Sequence, residues 1–235
     1  MEKKPRILIV EDETPIRQGL IDVFVFHGYL VESASDGVTG LEMAIRERFD
    51  LVLLDVMLPG KDGFAVCNEL RKVSREQPII LLTAKTSDED IITGLTLGAD
   101  DYVAKPFSVR ELVLRVESVL RRARRLPEAL PEIRVGPLTV DPLNLVGSLD
   151  GGEPISFTRR EVEILQYLLD HSTRPVSRDE LLSEVWGYSK AGNIETRTVD
   201  IHVAKLRRKI EPTPKHPKLL LTIRGEGYRL GIEGG

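Results

Sequence analysis

A chain of 235 residues with 41% hydrophobic and 30% charged side chains is globular, with room for one large domain or two small ones, and is no disordered polymer. No apolar run nears the roughly 20 residues of a spanning helix, the start is no signal peptide, and a single cysteine forbids an internal disulfide, so a cytoplasmic protein without membrane contact is expected. The net charge of −4 conceals a gradient: residues 1–120 hold 14 basic against 21 acidic side chains, and residues 196–229 nine against three, so only the second half suits a phosphate backbone.

Along the first half, aliphatic runs alternate with helical stripes. Ile7 to Val10 reads as a strand ending in Glu11-Asp12, and Ile16, Leu20, Val23 and Phe24 then space one helical face, stopped at Gly28. A strand at 29–34 and a helix at 40–48 follow. Leu51 to Leu54 is a four-residue aliphatic run, as in a strand covered on both faces, and it ends at Asp55. Helix 63–73, capped by Asp62, places Cys67 as a buried structural thiol. Ile79 to Leu82 ends at Thr83, a helix spans 88–97, Asp101 to Ala104 ends at Lys105-Pro106, and a last helix spans 109–120. Such alternation predicts an α/β domain with a parallel sheet and helices on both faces.

A lone Asp at a strand end most often caps a turn. Here Glu11, Asp12, Asp55, Thr83 and Lys105 all follow strands, and the carboxyl ends of parallel strands are where ligands sit. Three carboxylates without His or Cys suit a hard ion such as magnesium. A facing lysine suits a phosphoryl group, and a carboxylate can itself accept one.

This order of residues resembles the receiver domain of two-component response regulators, over about residues 5 to 122. The resemblance implies a flavodoxin-like, doubly wound five-stranded sheet, with Asp55 as the phosphoacceptor for a sensor histidine kinase. It implies Mg2+ held by Asp12, Asp55 and the backbone carbonyl of Met57, with Glu11 helping through water, and Thr83, Tyr102 and Lys105 as the switch and phosphate-binding residues. A phosphatase of the haloacid dehalogenase type uses a second Asp two residues after its nucleophile. Met57 stands there, so a signalling phosphoacceptor with at most slow autodephosphorylation is expected, and not an enzyme.

A linker over 123–132, with Pro127 and Pro131, leads to short β segments at 133–135, 138–140, 144–149 and 154–157. Thr158 and Glu161 form a capping box for a helix, and Ser177 and Glu180 suggest another for a helix at 177–186. A loop at 187–193, a helix at 195–210 and a hairpin turning at Arg224 complete an α+β winged helix-turn-helix over 133–235. In the third helix Val199, Val203, Leu206 and Ile210 form the inward stripe. Arg197, Ile201, Lys205 and Arg208 fall largely away from it, with Thr198, His202 and Arg207 toward the sides. That face suits a major groove, Lys205 reading bases and Ile201 a thymine methyl, with Arg197, His202 and Arg207 on phosphates. Thr222 suits a phosphate and Arg224 a minor groove.

The fragments Arg197-Thr-Val-Asp-Ile-His202, Leu206-Arg207 and Arg224-Gly-Glu-Gly-Tyr228 resemble the effector domain of OmpR/PhoB-type regulators. That resemblance implies a transcriptional regulator binding tandem repeats of double-stranded DNA as a homodimer, with the 187–193 loop touching RNA polymerase. Ala204 replaces a residue that is basic in many members. It also implies a dimer face in the receiver, to which Asp100, Asp101, Glu111, Arg115 and Arg122 correspond, whereas Ile91 replaces a basic residue. Pairs Asp101–Arg115 and Asp100–Arg122 are expected to hold that dimer, Glu111 contributing less.

Overall fold

Buried aliphatic runs organise the first half. In the computed structural model, which describes residues 4–84, 97–123, 131–188 and 197–231, strands β1 (Arg6–Val10), β2 (Leu30–Ala34), β3 (Leu51–Asp55), β4 (Ile79–Thr83) and β5 (Asp101–Ala104) form a parallel sheet. Their order is β2-β1-β3-β4-β5. Every residue of β3 and β4 is buried, which explains why neither strand alternates in polarity. Helices α1 (Thr14–Phe26), α2 (Gly37–Arg46), α3 (Gly63–Val73) and α4 (Val109–Ala123) connect and cover the strands. Leu20 and Phe24 of α1 and Leu112, Val113 and Val116 of α4 pack with Ile7, Ile9, Leu51 and Leu53 on one side. Val10 faces the other side and abuts α2 at Gly40.

Helix α2 begins three residues before the expected 40, because the Asp36 carboxylate accepts a hydrogen bond from Thr39 N at 2.9 Å and caps it there. The helix expected at 88–97 lies almost wholly outside the described residues.

The chain divides into two units, Met1–Arg125 and Leu126–Gly235. In the second, β6 (Ile133–Val135), β7 (Leu138–Asp141), β8 (Val146–Leu149) and β9 (Ile155–Ser156) pair consecutively as an antiparallel sheet. Strand β8 starts later than the expected 144 because Asp141 binds the backbone N–H groups of Leu143 and Asn144 and Leu145 turns to a φ of 55°.

Helices α5 (Arg159–Asp170), α6 (Arg178–Glu184) and α7 (Arg197–Ile210) are followed by the hairpin β10 (Leu220–Ile223) and β11 (Gly227–Leu230), giving a winged helix. Phe157, Leu165, Leu168, Trp186, Val203, Leu206 and Leu220 share its core. The Thr158–Glu161 capping box is present. At α6 only half of a box forms: Ser177 accepts from Glu180 N, while the Glu180 carboxylate turns to Tyr167 and Arg174. Among the described residues no helix is long and apolar enough to cross a membrane.

Candidate functional site

Parallel register brings the strand ends of the first unit to one rim. Val10 pairs with Leu54, so Glu11 and Asp55, the next residues on each strand, sit side by side. Thr83 pairs with Ala104, one residue before Lys105, and Lys105 N donates to Thr83 O at 2.7 Å. Gly63 lets α3 start directly behind the site: a Cβ there would lie 2.0 Å from the Asp55 carbonyl oxygen.

The Lys105 ammonium reaches Asp55 Oδ2 at 2.7 Å and Glu11 Oε2 at 2.8 Å, while Met57 N donates to Asp55 Oδ1 at 3.1 Å. Asp55 and Glu11 are buried; Asp12 and Met57 are exposed. Burial pushes the Glu11 carboxyl above its ordinary range, opposed by the hydrogen bond from Lys105 and aided by the charge of Asp55. Burial alone would lower the Lys105 ammonium, but its hydrogen bonds to Asp55 and Glu11 outweigh that and raise it.

Carboxylate oxygens of Glu11, Asp12 and Asp55 lie within 4.8 Å of one another. The three carboxylates outnumber the one ammonium among them, and the donor set is all oxygen, so a hard divalent cation fits it. Arg17, which sequence reasoning passed over, holds the acidic loop: its Nη1 donates to the Glu11 and Asp12 carbonyls at 2.6 and 2.9 Å, and its Nη2 to Thr14 at 3.1 Å. Its position early in α1, one turn after the acids, is the signal that could have found it. Thr83 and Tyr102 are both buried, one at the end of β4 and the other within β5.

The residues expected on a dimer face make contacts within their own chain. Arg115 donates to Asp101 Oδ2 at 2.8 Å, with both side chains buried, and to Glu111 at 2.7 Å. Asp100 accepts from Arg71 and from Ile79 N, each at 2.8 Å. Asp100 and Asp101 are thus engaged by donors of their own chain, as buried carboxylates are. Glu111 stays partly exposed. Ile91 and the side chain of Arg122 lie outside the described residues.

In the second unit the face of α7 departs from expectation. Thr198, Ile201, His202 and Lys205 are buried, whereas Ala204 and Arg208 are exposed. Lys205 lies 3.3 Å from Glu161 and Lys209 2.6 Å from it. The His202 ring meets Trp186 edge-on at 5.2 Å, and among the described residues neither ring nitrogen has a hydrogen-bond partner. Burial, reinforced by Lys205, Arg160 and Lys209, holds His202 well below its ordinary value and hence neutral. The imidazole is thus uncharged and enclosed, and Ile201 and Lys205 are buried beside it on the same helix. The helix is enclosed around more than its apolar stripe.

Arg207 is half-buried and donates to Leu220 O at 2.8 Å and to Thr222 Oγ1 at 2.7 Å. Thr222 and Arg224 are exposed on the hairpin. The side chain of Arg197 and residues 189–193 of the expected polymerase loop lie outside the described residues. Arg178, Asp200 and Tyr228, none of them expected as functional, meet in one cluster: Arg178 Nε reaches Asp200 at 2.6 Å and its Nη2 reaches the Tyr228 hydroxyl at 3.1 Å. The solitary acid Asp200 in a basic helix was the available signal.

Comparison with known proteins identifies both units. The family described as "Response regulator receiver domain" matches residues 7–117, and that described as "Transcriptional regulatory protein, C terminal" matches residues 152–230. The chain is 44% identical over 233 residues to "Probable transcriptional regulator ycf27" of Guillardia theta, covering 97% of this chain and 91% of that protein. It is 44% identical over 231 residues to the protein of the same name from Porphyridium aerugineum, covering 96% and 95%. Among solved structures, a mutant of RitR aligns with a TM-score of 0.71 at 28% identity, covering 96% and 98% of the two chains. The response regulator DrrB, a Thermotoga maritima OmpR/PhoB homologue, aligns with a TM-score of 0.52 at 31% identity, covering 97% and 99%. The chain belongs to the response regulators of the OmpR/PhoB type: it is a transcriptional regulator that joins a receiver domain to a winged-helix DNA-binding domain.

Proposed function

We propose that Asp55 accepts a phosphoryl group from a sensor histidine kinase and that this modification controls binding of promoter DNA by a dimer. The observation that carries the reading is the single ammonium of Lys105 spanning Asp55 and Glu11 at the mouth of the sheet. A carboxylate oxygen of Asp55 bonds to phosphorus as the bond from phosphorus to the donor imidazole nitrogen breaks, the electron pair leaving with the nitrogen. Lys105 then pairs with the new phosphoryl oxygens, and Thr83 donates its hydroxyl to them. Glu11, Asp12, Asp55 and the Met57 carbonyl would hold Mg2+, whose bound charge would offset the carboxylates and the incoming phosphoryl oxygens. Met57 offers no acid or base two residues after Asp55, so autodephosphorylation is slow.

The modification replaces the single negative charge of the carboxylate by about two on the phosphoryl oxygens, which draws Thr83 and Lys105 together, turns Tyr102 and biases the receiver toward a dimer. On the winged helix, the exposed Arg208, Thr222 and Arg224 and the half-buried Arg207 contact the duplex. The test is incubation with acetyl phosphate and Mg2+, followed by mapping of the acyl phosphate. Label at Asp55, absent from Asp55→Asn, supports the reading; an unlabelled wild type overturns it.

A further inference from the structure

The hairpin β10–β11 carries Thr222 and Arg224, yet a two-stranded ribbon is marginal by itself, so other groups must aim it. Its backbone is tied to the entry of α6: Val176 N donates to Tyr228 O at 2.8 Å and Tyr228 N to Val176 O at 2.9 Å. Gly227 permits that approach, since a Cβ would lie 2.0 Å from Val176 O and φ is +133°. Side chains then tie the same tyrosine to α7. The buried Tyr228 donates its hydroxyl to Asp200 and accepts from Arg178, and Arg178 donates to Asp200 at 2.6 Å. The guanidinium of Arg178 lies 4.8 Å from the centre of the Tyr228 ring, and that of Arg207 5.7 Å. Asp200 is an acid on a helix meant for phosphates. Its charge is compensated by Arg178 within the fold.

We propose that Arg178, Asp200 and Tyr228 are positioning residues that fix the hairpin relative to α7, so that Arg224 enters a minor groove in register with the contacts of α7 in the major groove. This rests on the DNA-binding reading above. The bracket joins α6, α7 and the hairpin through one phenolic oxygen. Phenylalanine would fill the same volume without that oxygen, so packing does not require it.

The test uses the full chain, treated with acetyl phosphate and Mg2+, to select duplexes from a random-sequence pool. Wild type, Tyr228→Phe, Asp200→Asn, Arg224→Ala and the double variant Tyr228→Phe/Arg224→Ala are then compared on the selected duplex. Tyr228→Phe is expected to bind roughly tenfold more weakly, the scale of a hydrogen bond to a charged group. It should lose hydroxyl-radical protection at the minor-groove positions that Arg224→Ala loses, while guanine N7 protection in the major groove persists. The double variant should be no weaker than Arg224→Ala alone. Asp200→Asn removes the carboxylate charge that holds both Tyr228 and Arg178, weakening the same bond from the helix side, and decides the matter should Tyr228→Phe lose cooperative melting. Unchanged minor-groove protection in these variants, or penalties that simply add, would overturn the bracket while leaving DNA binding intact. A wild-type chain that enriches no duplex overturns the DNA-binding reading and the bracket with it.

Discussion

The ammonium of Lys105 lies 2.7 Å from Asp55 Oδ2 although the two residues are 50 positions apart, and the same ammonium reaches Glu11 at 2.8 Å. One flexible cation therefore restrains two buried carboxylates that would otherwise repel each other. Lys105→Ala should lower the unfolding free energy by roughly 3 kcal/mol in the absence of divalent ions, the scale of a buried pair stripped of one partner. Added Mg2+ should restore part of that loss, because a ligand bound only by the folded chain stabilises it by mass action. Urea unfolding with and without Mg2+ measures both; no stabilisation by Mg2+ in either wild type or variant would refute the proposed ion site.

Asp101 and Arg115 form an ion pair with both side chains buried, whereas Glu111 is partly exposed. Asp101→Ala should therefore destabilise the receiver itself by roughly 3 kcal/mol, and Glu111→Ala by less than about 1 kcal/mol. Thermal melts of the unphosphorylated chain separate this from an effect on dimers, which would appear only in sedimentation of the phosphorylated chain.

The enclosure of His202 and the exposure of Arg208 make opposite forecasts. His202→Ala opens a cavity beside Trp186 and should cost roughly 2–4 kcal/mol of stability. Arg208→Ala should stay within about 0.5 kcal/mol of wild type in stability and lower the salt slope of duplex binding by about 1. A stable His202→Ala variant with weakened duplex binding would reverse the placement.

How far the chain could be read from its residues depended on whether chemistry and periodicity lay on the same stretch. Asp55, Glu11 and Thr83 each directly follow a run of aliphatics, so the strand ends and their rim are legible in the residues themselves. The surface of α7 is not. A stripe through Val199, Val203, Leu206 and Ile210 presumes that a helix is covered from one side, but Trp186 and Glu161 also enclose His202 and Lys205. Those covering groups lie on segments distant in the chain, and spacing within one helix carries no trace of them. Nor does charge pattern alone say whether Asp101 meets Arg115 of its own chain or of another.

Arg174, first through its hydrogen bond, holds the Glu180 carboxyl at about 2 against an ordinary 4.5, with the Tyr167 hydroxyl assisting. A folded-state value below the unfolded one means that this contribution is complete above 4.5 and is lost as pH falls toward 2. Glu180→Gln should destabilise the winged helix near neutrality and flatten its acid limb. Urea midpoints at about pH 6 and about pH 3 test this, and parallel limbs in wild type and variant would contradict it.

The coupling between the two halves of the sequence is tested most directly by duplex affinity before and after phosphorylation. With acetyl phosphate and Mg2+, wild type is expected to bind a tandem-repeat duplex on the order of a hundredfold more tightly, as two linked winged helices engage adjacent sites, while Asp55→Asn stays at the unmodified level. Equal affinity of labelled and unlabelled wild type, or an equal gain in Asp55→Asn, would contradict phosphorylation at Asp55 as the control of DNA binding.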